Sequence, residues 1–123
     1  MWHIPLGIVH VGASQHPVVS MDYNLWVYQS NAQNTIHEGT SQWAEAKQQV
    51  IDGYKDYFMR NYVGNRAPVV IAGHFSQWND GLYWEAMKDF ASQVCGLPNV
   101  QCVTFGTLVQ YLNATGTPPI VRD

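Results

Sequence analysis

Residues 68–103, PVVIAGHFSQWNDGLYWEAMKDFASQVCGLPNVQCV, decide the fold class. The opening run at 68–73, PVVIAG, is short, β-branched and continuously apolar, which suits a strand buried on both faces, as in a parallel sheet. Residues 80–95 follow as a helix with Tyr83, Met87, Phe90, Ala91 and Val94 on one face; Gly96 stops it and Pro98 lies just beyond. Residues 100–103 read as another buried strand, and Thr104 can cap a short helix over 105–112 that carries Leu108, Val109, Tyr111 and Leu112.

Outward from there, residues 41–62 form the clearest helix. Trp43, Ala46, Val50, Tyr54, Tyr57 and Phe58 recur at steps of three and four, Thr40 or Ser41 can cap it, and Gly64 ends it. Residues 2–11 read as a strand, 12–20 as a loop around Pro17, and the aromatic-rich 21–28, MDYNLWVY, as a second extended segment. Residues 29–40 are polar and turn-prone, and the tail over 114–123 reads as loose. From residue 41 the order helix, strand, helix, strand, helix implies mostly parallel strands joined by right-handed crossovers, an α/β architecture within a single domain over 1–123.

Hydrophobic residues make up 46% of the chain and charged ones 12%, so it has the composition of a folded domain. The net charge of −3 and the six scattered Lys and Arg argue against nucleic acid, which needs a clustered basic surface. No apolar run reaches the ~20 residues that cross a bilayer, so no membrane partner is expected. The start, MWHIPLGIVHVG, has neither a basic n-region nor a small-residue cleavage site, and its abrupt strand character suggests a chain that begins inside a domain. That leaves the localisation open. Cys95 and Cys102 flank a short loop after a helix end; two buried thiols and a disulfide are both compatible with this, and a bond is expected in oxidised protein.

Residues 64–112 carry a family resemblance. An Asn-Arg-Ala-Pro run leads into the apolar strand, that strand ends on His74, and Trp78 follows. A helix then leads to a strand ending in Val103-Thr104 and a helix containing Tyr111-Leu112, while upstream Ser20-Met21-Asp22-Tyr23-Asn24 supplies an aspartate-bearing segment. On these residues the chain resembles the C-terminal half of NodB-homology polysaccharide deacetylases, chitin-deacetylase-like members included. The resemblance implies a partial, distorted TIM-like (β/α) barrel, removal of N- or O-acetyl groups from polysaccharides, and, in full-length members, a divalent metal such as zinc. It implies that His74 is the catalytic acid and that Asp22 orients it. A histidine can protonate a leaving amine while a neighbouring carboxylate fixes its tautomer.

The departures matter as much. The Thr-Phe-Asp-Asp-Gly type of run that supplies the catalytic base and a metal ligand is absent, and no two of His3, His10, His16, His37 and His74 have the metal-pair spacing of four. Arg66-Ala67-Pro68 lies in the wrong place for the family's arginine motif, and Ala72 stands where a leucine is usual. The chain thus reads as a half-domain that is inactive alone and has no cofactor of its own. A second reading is a non-catalytic carbohydrate-binding or assembly module derived from that fold. A third is a small enzyme that uses His10, His16, Asp22 and His74 in another way.

Each candidate has a plain structural alternative. His74 can be a structural histidine, and Asp22 can cap a turn. Trp78 and Trp26 are candidate sugar-stacking residues, with Trp84 a weaker one, but aromatic side chains also build cores. His10, His16 and Asp22 are the one conceivable metal cluster, at a spacing that matches no standard ligand pattern. Asn113-Ala114-Thr115 matches the glycosylation sequon, a short pattern that arises often by chance. A half barrel leaves open strand edges and exposes Trp2, Ile4, Leu6 and Ile8, so a homodimer, or a partner supplying the missing half, is expected.

Overall fold

The computed structural model describes residues 1–115. Strands β1 (Ile8–Val11) and β2 (His16–Val19) precede four helices: α1 (Asp22–Ser30), α2 (Ser41–Tyr62), α3 (Trp78–Val94) and α4 (Phe105–Thr115). The strands form an antiparallel hairpin with Ile8 opposite Val19 and Val11 opposite His16. Gly12 and Gln15 turn the connection with positive φ, and Gln15 N–H donates to the Gly12 carbonyl at 3.0 Å.

α2 has the boundaries its periodicity predicts, and Thr40 caps it by accepting the Trp43 N–H at 3.1 Å. Val50, Tyr54, Tyr57 and Phe58 face Val9, Val11 and Val18 of the hairpin, together with Leu82, Ala86, Phe90 and Val94 of α3 and Leu25 of α1. Full burial of one such side chain stabilises the fold by about 1.5–3 kcal/mol. Helix and strand approach closely at Gly53, where a Cβ would come within 3.0 Å of the His10 carbonyl oxygen.

The expected α/β, partial TIM-like barrel does not form. The molecule is a small α-rich domain, and among its described residues the only strand pair is antiparallel. The reason is pairing. Residues 68–73 form no strand: they pair with another segment only through one parallel bridge, Ala72 to Met21. Val70 is buried, whereas Val69 and Ile71 are half-buried, so the run is not sandwiched on both faces. Residues 101–103 are exposed and outside any strand. Segment 21–28 is not extended either: α1 takes over from Asp22, and only Asp22 and Leu25 of it are buried. Its aromatic residues favour strands by propensity, and tertiary packing overrides that preference. At the N-terminus only Ile8–Val11 is strand. Of the tail, residues 114 and 115 belong to α4, and 116–123 lie outside the described residues.

Ser20 binds distant segments to one another. It is fully buried, its hydroxyl donates to the Val70 carbonyl at 2.6 Å, and it accepts the Gly7 N–H at 3.0 Å. Beyond α3, Cys95 and Cys102 form a disulfide with a Cα separation of 5.5 Å. Tyr62 and Arg66 hold the enclosed loop by donating to the carbonyls of Pro98 and Asn99, at 2.9 and 2.6 Å. Among the described residues no helix is long and apolar enough to cross a membrane.

Candidate functional site

The bridge between Ala72 and Met21 sets the site. Asp22 N–H donates to the Ala72 carbonyl at 3.2 Å, so the first residue of α1 lies beside the end of the 68–73 segment. The Asp22 side chain, 6% exposed, turns toward His74. Its Oδ2 accepts the His74 backbone N–H at 2.7 Å; its Oδ1 accepts from His74 Nδ1 at 2.6 Å and from Tyr23 N–H at 2.8 Å. A carboxylate can only accept, so Nδ1 carries the proton, which leaves Nε2 as the ring atom free to meet a ligand. The His74 side chain is half exposed, within reach of a ligand. The two catalytic candidates are therefore in direct contact.

The two tryptophan candidates are also brought together. Trp26 and Trp78 stack with centroids 4.2 Å apart and planes within 4°. Trp78 lies 5.3 Å from the His74 ring, and Tyr23 packs edge-on against both tryptophans, at 6.1 and 5.9 Å. Mutual stacking occupies one face of each indole, so a ligand would meet the remaining faces and the exposed Tyr23 ring. On the other side of Asp22 a small pocket of about 110 Å³ opens between Gly73, Tyr54, Tyr83 and Met87. Its rim carries Phe75, 79% exposed, against Trp84 at 5.4 Å. Phe75 has φ 54°, an uncommon conformation for a bulky side chain.

Asn79 holds this wall in place. It is fully buried in a run of three left-handed residues, Asn79, Asp80 and Gly81. Its Nδ2 donates to the Ser30 hydroxyl at 3.0 Å and the Tyr83 hydroxyl at 3.1 Å, and its Oδ1 accepts the Ile36 N–H at 3.3 Å. Its carbonyl accepts the Trp43 indole N–H at 2.8 Å. Burial pushes the Tyr83 phenol up to about 12; the Asn79 hydrogen bond opposes this and the Asp22 charge adds to it. Tyr54 is raised further still, first by burial and then by Asp22 and Tyr83. Both phenols stay neutral, and Tyr83 donates to Gln29 Oε1 at 2.9 Å.

Tyr23, Phe75 and Asn79 escaped the sequence reading. For Asn79 a signal existed, because Asn-Asp-Gly is the composition of a left-handed turn. For Tyr23 and Phe75 there was none beyond adjacency to Asp22 and His74.

The other histidines have different surroundings. His10 faces Asp56 at 3.4 Å, His37 faces Asp80 at 3.3 Å, and His16 stacks on Tyr28 at 4.3 Å. Among the described residues no three His, Cys, Asp or Glu side chains converge, and both Asp22 oxygens already accept hydrogen bonds. These residues do not fit a zinc-type ion, and the conceived set of His10, His16 and Asp22 is not assembled. The sequon residue Asn113 lies in α4, where its side-chain oxygen accepts the Trp2 indole N–H at 2.6 Å. Comparison of the chain with family models, with curated proteins and with solved structures returns no match.

Proposed function

We propose that the chain is a polysaccharide deacetylase-like half-site that binds an acetylated sugar and is inactive alone. One observation carries this reading: the buried Asp22 carboxylate bonded to Nδ1 of a half-exposed His74 beside an aromatic wall. In the protonated state His74 would give the Nε2 proton to a leaving amine, with Asp22 holding the imidazolium in place. Amide hydrolysis also needs a group that activates water, and no third His, Cys, Asp or Glu clusters with the pair among the described residues. A second chain would complete the site, either another copy or a partner that brings the activating groups. Exposed Val103, Phe105 and Tyr111 around α4 offer apolar surface for such a partner.

Calorimetric titration with N-acetylated chito-oligosaccharides, alongside an acetate-release assay, tests this reading. Saturable binding that Trp78→Ala weakens, without acetate release, is the expected result. Absence of binding overturns it. A second reading, a non-catalytic carbohydrate-binding or assembly module, draws support from the exposed rings of Tyr23, Phe75 and Trp84. Acetate release restored by a complementing chain, and lost again in His74→Ala, would decide for the half-site.

A further inference from the structure

A second cavity, of about 260 Å³, lies between the C-terminal turn of α1 and the first turns of α2, away from the Asp22–His74 pair. Tyr28, Gln29, Gln42, Glu45 and Gln49 supply its polar wall. The volume falls below the ~300 Å³ at which drug-sized pockets begin, so it suits one small unit. Its chemistry is polar, with a single acidic group. Gln42 offers a donor and an acceptor, Gln49 offers its amide N–H groups, a phenol adds a hydroxyl, and there is one carboxylate with no cation among the lining residues, while Gln29 is bonded to protein partners. A lone carboxylate is a poor cation site, and anions find no positive charge. Vicinal hydroxyl groups match paired amide donors and acceptors.

Two features pre-organise the wall. The Tyr28 ring is stacked flat on His16, with an interplanar angle of 6°. Gln29 is fixed from both ends: its Nε2 donates to the Ala46 carbonyl at 3.0 Å and to Gln49 Oε1 at 3.4 Å, while its Oε1 accepts from the Tyr83 hydroxyl at 2.9 Å. Tyr83 in turn accepts from Asn79, the residue after Trp78. Gln29 stands three residues beyond Trp26 on α1, on a neighbouring face and about 5 Å further along the axis.

We infer that this groove is a subsite for one neutral sugar unit of the same polymer whose neighbouring unit meets the Trp26–Trp78 wall. The inference rests on the carbohydrate reading above. Titration of the full chain with N-acetylated chito-disaccharide and chito-tetrasaccharide tests it. The wild type binds the tetrasaccharide more tightly than the disaccharide. The exposed substitutions Gln42→Ala and Gln49→Ala each weaken tetrasaccharide binding about fivefold or more, through lost hydrogen bonds, and leave the disaccharide unchanged. Equal binding of the tetrasaccharide by wild type and both variants, with Trp78→Ala still impaired, overturns the subsite and leaves the carbohydrate reading intact. Binding of neither sugar by the wild type overturns both.

Discussion

Asp22 grips His74 by two atoms at once, its Oδ2 on the backbone N–H at 2.7 Å and its Oδ1 on ring Nδ1 at 2.6 Å. The same carboxylate accepts the Tyr23 N–H in the first turn of α1. One side chain therefore fixes a helix start, a loop end and a histidine tautomer.

Asp22→Ala should cost about 1–3 kcal/mol, because part-buried N–H groups lose their acceptor. Asp22→Asn should cost less yet disturb the ring, since an amide no longer enforces the Nδ1–H tautomer. Denaturant midpoints check the first statement. Imidazole nitrogen shifts of His74 check the second, and an unchanged tautomer in the Asn variant would contradict it.

Removing the Asn79 side chain should cost about 2 kcal/mol or more, since two hydroxyl partners and one N–H lose their bond in a buried place. Asn79→Gly should cost nearly as much, even though glycine accepts φ 49° freely. A Gly variant as stable as wild type would mean that backbone conformation, not the hydrogen bonds, is what Asn79 supplies. Tryptophan emission should shift in both variants, because Trp43 and Trp78 flank the network.

At Gly53 a methyl group would be tight. A Cβ would lie 3.0 Å from the His10 carbonyl oxygen, a backbone atom, so Gly53→Ala must shift α2 and β1 slightly apart, against its better helix propensity. A loss of about 1–3 kcal/mol in urea unfolding is the expected reading. Any gain in stability would refute the close helix–strand approach.

Reduction of Cys95–Cys102 should lower stability by about 2–3 kcal/mol, the loop-closure value for a ring this short. Unfolding with and without reductant measures it. The core formed by α2 and α3 should survive reduction, with its far-ultraviolet dichroism intact.

Alkaline pH should unfold the protein through its buried phenols. Tyr83 titrates near 12 when folded and near 10 when unfolded, and Tyr54 is raised further. Above pH 10 the unfolded chain binds fewer protons than the folded one, so stability falls as pH rises. Below pH 10 both phenols are protonated in both states and contribute no slope. Ultraviolet titration should show two tyrosines whose ionisation coincides with loss of folded structure. Ionisation of all tyrosines near pH 10 in a still-folded chain would disprove the burial argument.

Local periodicity was enough for some elements and not for others. Residues 41–62 repeat apolar side chains at three and four over six turns, and α2 has those bounds because that stripe is what the core takes up. α3 and α4 are likewise visible, while the left-handed start at Asn79–Gly81 shows only as the turn composition Asn-Asp-Gly and not as a period. In α1 no stripe exists to be read, since a nine-residue helix buries only Asp22 and Leu25, and its aromatic residues favour a strand. Residues 68–73 show the opposite case. Their apolar run predicts a strand that does not form, because a strand needs a segment alongside to pair with, and here the only pairing is the bridge of Ala72 to Met21 with the flanking bonds to Ser20 and Asp22. The contact of Asp22 with His74 spans 52 residues. Composition supplies the two residue types, and only the resemblance read from residues 64–112 gives a reason to pair them. Their distance, the aromatic wall beside them and the buried Asn79 behind it come from tertiary packing, because hydrogen bonds between distant segments leave no period in the chain.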